Sequence, residues 1–230
     1  DGITCILATL LLIQLLNPKK SKVLDEVKVE EPYSAYKDKA FIIFLFALFL
    51  FGVMFLQYFS TMPIYYRDSH FLTEPEIGLL LGANGFFIFL LEMPLIKWLE
   101  NTRFNKVTLI WFGALLTSLS LLILNFTTWS GILIIGMFLM TVGEMIAFPF
   151  ANAFALQQAK KGNQGEYMAL YSIAFSLAHI FGHKAGLESV SAYGFDNTWY
   201  IFTVVGALCM FLLFVLKQFL KAKKTKRIRI

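Results

Sequence analysis

Charge is scarce in this chain: 15% of its 230 residues are charged, against about 25% in an average soluble protein. Cysteine is scarcer still, with only Cys5 and Cys209, both inside apolar runs. That pair offers neither a disulfide framework nor metal-ligand spacing, so redox chemistry is not indicated. No G-x-x-x-x-G-K-[ST] loop occurs, and no G-x-G-x-x-G follows a strand, so an ATP-driven pump would have to borrow its motor from another chain. H-E-x-x-H and G-x-S-x-G are absent too, which removes the familiar zinc-protease and serine-hydrolase signatures. What remains is grease: 58% hydrophobic residues, 25 phenylalanines and a mean hydropathy of +0.67. Such a composition belongs in lipid, and the size rules for soluble domains do not apply.

The apolar residues fall into runs. Gly2 to Leu16 is too short for the roughly 20 residues a span needs, and we read it as the end of a truncated transmembrane helix that begins upstream. Residues 17–40 carry Lys19, Lys20, Lys22, Lys28, Lys37 and Lys39 with Pro18 and Pro32, and read as a cytoplasmic linker. Residues 41–216 hold six runs: 41–65, 77–95, 107–124, 131–156, 167–187 and 199–216, each near or above spanning length. Thr73, Pro75 and Glu76 spell a capping box that opens the second. Residues 217–230 form a basic tail, most simply a topogenic anchor near anionic lipid rather than a nucleic-acid ligand.

If the six runs alternate across the bilayer, every Lys and Arg except Arg67 and Lys184 falls on one side. The positive-inside rule then places the linker, the turns after the second and fourth runs, and the C-terminus in the cytoplasm. Gly78, Gly82 and Gly85 in the second run, and Gly182 and Gly186 in the fifth, are spaced for close helix packing.

Polar residues inside the runs point inward, because a charge facing hydrocarbon is costly. The sharpest is Glu144, midway along the fourth run, with Pro149 withdrawing an amide five residues on. At 100° per residue, Thr141, Glu144, Phe148 and Asn152 share a face. So do Asn84 and Glu92 in the second run, Gln57 and Thr61 in the first, and Ser172, Ser176, His179 and His183 in the fifth. The third and sixth runs carry no ionisable group in their cores, so four helices are expected to line an interior and two to stand at the periphery.

Each polar group also has a structural reading. Glu144 fits a proton-coupling role, or a permanently protonated acid bonded to a neighbouring helix. Glu92 lies close to Lys97 at the boundary, where it either snorkels or couples to protons. His179 and His183 at i, i+4 could hold a metal, but no further ligands lie near in sequence and Lys184 would repel a cation. A solvated or structural pair, with His179 as a further proton-coupling candidate, is the preferred reading, and no metal or cofactor is assigned. Gln57 and Asn152 suit interhelical hydrogen bonds as well as ligand contacts.

A long linker followed by six spans resembles the C-terminal half of a major facilitator superfamily transporter. Gln57–Glu100 is similar to the seventh and eighth helices of drug:proton-antiporter-like members, and Gly143–Ala155 to the tenth, with Gly165–Tyr167 opening the eleventh. The turn holding Glu100, Arg103 and Lys106 resembles a degenerate copy of that family's acidic-basic cytoplasmic turn, although Ile96 and Asn101 depart from it. The resemblance implies an all-α membrane protein: six transmembrane helices forming half of a twelve-helix fold, with the N-terminal half outside this sequence. It also implies a substrate site between the halves and access that alternates by rocking. Gln57, Tyr58, Asn84, Phe148, Asn152, Ser176 and His183 become substrate-cavity candidates. The expected function is secondary active, proton-coupled transport of a small organic solute, exported or imported, across the bacterial inner membrane, with antiport and efflux implied by the resemblance and the lipid bilayer, the solute and protons as partners. Two rivals remain: a membrane-embedded metal-dependent enzyme using His179 and His183, and a non-transporting scaffold or receptor.

Overall fold

A computed structural model describes residue 6 and residues 9–11, 34–159 and 164–228, with side chains to residue 222. The chain divides into two units, Asp1–Glu31 and Pro32–Ile230. In the first, Ile6 and residues 9–11 are helical and exposed; the rest of residues 1–16 and of the linker to residue 33 lie outside the described residues. In the second, all regular structure is helical among the described residues. The elements are α1 (Lys39–Phe55), α2 (Gln57–Ser60), α3 (Met62–His70), α4 (Glu74–Glu100), α5 (Lys106–Leu122), α6 (Gly131–Ala159) and α7 (Gln164–Ile228).

The first three elements are one apolar run interrupted twice. Gln57 Nε2 donates to Val53 O (2.8 Å) and the Ser60 hydroxyl to Leu56 O (3.1 Å). Side chains bonding back onto the preceding turn compete with the helix ladder, and the breaks at Leu56 and Thr61 fall where they do so. Pro63 then opens α3, where its missing amide does no harm. At the start of α1, Asp38 Oδ1 accepts from the Ala40 and Phe41 amides at 3.1 and 3.3 Å, a side-chain cap on otherwise orphaned donors. Thr73 caps α4 with Glu76 as the sequence predicts: its amide and hydroxyl donate to Glu76 Oε2 at 2.8 and 2.7 Å.

Five segments are long and apolar enough to span a membrane, and the last, Gln164–Ala222, is the longest. It is not one rod. Gly194 leaves helical geometry with φ 76° and ψ 174°, a conformation open to glycine. The contacts of its two arms show a reversal. Along the first arm, Tyr167, Phe181, Gly182 and Gly186 meet Phe41, Phe49, Val53 and Gln57 in ascending order. Along the second, Phe195, Trp199, Gly206 and Cys209 meet Tyr65, Tyr65, Met54 and Ala47 in descending order. The first arm therefore runs parallel to α1 and the second antiparallel to it.

Burial against the rest of this chain differs between runs: the third is 56% buried over its apolar window and the second 6%. Ionisable groups mark which face of a helix is polar; they do not mark how many neighbours the helix has. Small residues decide that here. A Cβ at Gly113 of α5 would lie 2.7 Å from Gly143 O and 2.9 Å from Ala147 N of α6, so the two backbones are already in contact. Ser118 of α5 packs the same way on Gly206 of the second arm. Gly78, Gly82 and Gly85 of α4, expected to pack, meet nothing within 4 Å, whereas Gly182 and Gly186 do face α1 and α2.

Charge separates along the bundle among the described residues. Lys39, Lys97, Arg103, Lys106, Lys217 and Lys221 gather at one end. The other holds Asp68, Glu74, Glu76, Glu188 and Asp196 with only Arg67 and Lys184, and both of those are ion-paired, to Asp68 at 2.8 Å and to Glu188 at 3.6 Å. We call these the basic and acidic ends. Replacing Gly113 by Ala should cost about 1–3 kcal/mol through forced separation of α5 and α6, read as a lower melting temperature in detergent. The same change at Gly82, with open space around it, should leave that temperature within error.

Candidate functional site

Glu144 lies where the sequence places it, midway along α6 and half-buried. Its setting is supplied by Asn84, which is 4% exposed although α4 is otherwise open. Asn84 Nδ2 has two hydrogens and places both on α6, one on Thr141 Oγ1 (2.9 Å) and one on Glu144 Oε2 (3.3 Å). Thr141 passes its own proton to Met137 O at 2.7 Å, so its oxygen is free to accept. A carboxylate, an amide and a hydroxyl thus form a short network between two rods, with the carboxylate at its open end. Glu92, two turns along the same face of α4, is half-buried. Tyr58 is fully buried, and its hydroxyl has no hydrogen-bond partner among the described residues.

Further along the Glu144 face, Phe148 joins an aromatic wall. Its ring lies 5.2 Å from Phe51, 4.9 Å from Phe55 and 5.4 Å from Phe175 between centroids, all edge-on. Phe175 continues to His179 at 5.0 Å, and His179 to His183 at 5.8 Å. Phe55, Phe59, Phe148, Phe175 and the two histidines line an open cavity of about 460 Å³. Ring faces favour a cation and imidazoles can exchange protons. Among the described residues no three His, Cys, Asp or Glu side chains gather as a metal set would require. Ser176 and Asn152 occupy exposed positions on the first arm of α7 and on α6.

Gln57 stands apart from this group. Its amide nitrogen donates to Val53 O and to Gly182 O (2.9 Å), and its Oε1 accepts from Thr61 Oγ1 (2.7 Å). It is fully buried and its polar atoms are occupied in tying the first run to the first arm of α7. A Cβ at Gly186 would collide with Gln57 Oε1, which explains the glycine there. At the end of α4 and in the turn after it, Glu100 and Arg103 are exposed and in no ion pair among the described residues, whereas Lys106 is half-buried and donates to Ala153 O of α6 at 3.1 Å.

A second constellation escaped the sequence reading. Asp38 Oδ2 accepts from the Tyr167 hydroxyl (3.2 Å), and Glu166 Oε1 accepts from Ser34 Oγ (2.7 Å) and the Ala35 amide (3.0 Å). This clasp ties the start of α1 to the start of α7 at the basic end. Asp38 before an apolar run was a visible cap signal; nothing in the sequence pointed to Glu166.

Residues 1–183 and 72–229 match the family model of the Major Facilitator Superfamily. The chain belongs to that superfamily. It is an integral membrane protein of a transporter family, all-helical, with a polar site between α4 and α6. It is also 26% identical over 179 residues to a Na(+), Li(+), K(+)/H(+) antiporter of Planococcus maritimus. The alignment covers 72% of this chain and 42% of that relative, so the chain spans less than half of the relative's length. Replacing Asn84 by Leu removes the polar link between α4 and α6 and should destabilise the bundle by about 0.6–1.7 kcal/mol, the range for one interhelical hydrogen bond. Thermal unfolding in detergent checks it.

Proposed function

We propose that the protein is a secondary active antiporter in which Glu144 holds a proton and a cationic cargo alternately. The observation that carries this reading is the half-buried Glu144 carboxylate, bonded on one oxygen by Asn84 and one helical turn before Phe148, whose ring packs on Phe55 and Phe175. Protonated, Glu144 is neutral and compatible with a closed, dry cavity; ionised, it attracts a cation. The two occupants exclude each other, and that exclusion is what an exchanger needs. Glu92 and His179 are the secondary proton-coupling groups. Tyr58, Asn84, Phe148, Asn152, Ser176 and His183 contribute to the cargo cavity, which the other half of the fold would complete.

The aromatic wall favours a small organic solute with a cationic centre. A second reading, an alkali cation as cargo, draws on the name of the Planococcus maritimus relative. Proteoliposomes separate them: internal pH is followed while Na⁺, Li⁺, K⁺ or an organic cation is added outside. Glu144→Gln should abolish cation-evoked proton movement, whichever cargo proves right. Full retention of pH-driven exchange in that variant would remove Glu144 from the mechanism. Absence of any solute-evoked flux in wild type would favour the scaffold reading, and stoichiometric bound zinc or iron lost on His179→Ala would favour the enzyme.

We further propose that the basic end faces the cytoplasm of the bacterial inner membrane, as the gathering of lysines there suggests. Single cysteines at Lys221 and Asn197 should then react with impermeant reagent from opposite sides of the membrane, Asn197 from outside.

A further inference from the structure

At the basic end, α5 begins beside the last apolar turns of the second arm of α7, and the two leave a cavity of about 210 Å³ between them. Its walls descend from that end in two short rows. Val107, Trp111 and Phe112 come from the first two turns of α5, and Leu213, Phe214 and Lys217 from the second arm. Thr108 completes the lining, but its hydroxyl already donates to Asn105 Oδ1 at 2.7 Å as part of the cap of α5. Val107 and Leu213 are buried, whereas Phe112 and Phe214 are exposed. An apolar floor therefore opens onto the surface of the bundle between two aromatic rings.

Aromatic surface continues from the cavity towards the rim. Trp111 lies 5.4 Å from Phe112 between ring centroids, and Phe112 lies 6.0 Å from Phe104, an exposed residue in the turn before α5. Trp111 is half-buried, and its indole N–H makes no hydrogen bond among the described residues. Rings with an apolar body and one polar tip suit the level where hydrocarbon meets headgroups. Lys217 is the charged group of the wall, exposed and in no ion pair among the described residues, and no Asp or Glu lines the cavity to neutralise it. Lys106, at the start of α5, differs: it is spent on Ala153 O. Beyond Lys217 the sequence adds only positive charge, with Lys221, Lys223, Lys224, Lys226, Arg227 and Arg229.

An occupant that matches these walls is apolar over most of its length and negative at one end. A small anion would gain nothing from the apolar floor, and a plain hydrocarbon would leave Lys217 unmatched. A phospholipid with an anionic head has both parts, and basic pockets between membrane helices suit such heads. We infer that the cavity between Trp111 and Lys217 seats one anionic phospholipid, its acyl chain lying between α5 and the second arm of α7 and its phosphate meeting Lys217. The seat shares no lining residue with the Glu144 site. It does not depend on the antiport reading, and its occupancy is measurable without transport.

The experiment is tryptophan quenching in vesicles of phosphatidylcholine and phosphatidylglycerol with matched acyl chains at one fixed ratio, in which only one of the two lipids carries bromine on its chains. Subtracting the signal of Trp111→Phe isolates Trp111 from the other tryptophans of the chain. Per brominated molecule, phosphatidylglycerol should quench Trp111 about fivefold more effectively than phosphatidylcholine, the preference one lysine gives near an anionic surface. Lys217→Gln should bring that ratio close to unity. Lys97→Gln removes an exposed charge at the same end but touches no wall of the cavity, and should leave the ratio unchanged. The inference is overturned if both brominated lipids quench Trp111 equally in the wild type, since the cavity then takes any acyl chain. It is equally overturned if the preference survives Lys217→Gln, or if Lys97→Gln removes it as fully, which would make it a property of the whole basic end. Melting temperatures in detergent give a second readout that does not use Trp111, because binding to the folded state raises them by mass action. Phosphatidylglycerol should raise the melting temperature of the wild type and of Lys97→Gln more than phosphatidylcholine does, and the two lipids should act alike on Lys217→Gln; equal effects on the wild type would be fatal.

Discussion

In hydrocarbon a polar side chain with no partner has nowhere cheap to go. The arrangement of this bundle follows from how a handful of such side chains meet that condition. Gln57 does so by reaching across to the Gly182 carbonyl, and the closeness it needs accounts for both Gly182 and Gly186 in the facing helix. Asn84 does so by spending both amide hydrogens on α6. It is a buried polar anchor in a helix that otherwise turns most of its surface outward. Cys209 bonds the Ala47 carbonyl, and Ser118 sits 3.4 Å from the Thr203 carbonyl. Lipid supplies little drive to bring apolar rods together, so close backbone approach and these few bonds define which rods touch.

The same constraint separates structure from chemistry at the centre. Gln57 has given away its amide and is a fastener. Glu144 has one oxygen bonded by Asn84 and no further hydrogen-bond partner among the described residues, which is why the exchange of occupants is proposed for it and not for Gln57. Two residues of similar size, both deep in spans, differ in role because one is saturated and the other is not. Buried hydroxyls without partners, on Tyr58 and Tyr66, lie between these extremes. They sit on the stretch that leads from α1 towards the acidic end.

Particular residues show where reading the sequence succeeds. The run around Glu144, the cap at Thr73, the shared face of Thr141 and Glu144, and the pairing of His179 with His183 all depend on helical spacing, a local property. How closely α5 approaches its neighbours was not legible, because it has no ionisable core residue, yet Gly113, Ser118 and Ser120 let it sink between α6 and the second arm of α7. The glycines of α4 make the same point: spacing identifies a smooth helix face and says nothing about who lies against it. Glu166 was invisible for the opposite reason: it sits outside the apolar runs, and its partners are over 130 residues away.

Local chemistry alone established that the chain lives in lipid, which stretches are apolar enough to span it, which of their faces are polar, and that positive charge gathers at one end. All of these follow from hydrophobic run length, helical periodicity and the order of loops, which need no partner to be defined. The fold decided the rest: that α7 doubles back at Gly194, that Asn84 belongs to Glu144, that Gln57 is spent on a neighbouring backbone, and that Trp111 and Lys217 share a cavity. Those facts depend on which surfaces touch, and in a bundle of near-uniform greasy helices contact is chosen by a few small side chains and hydrogen bonds between segments distant in the chain.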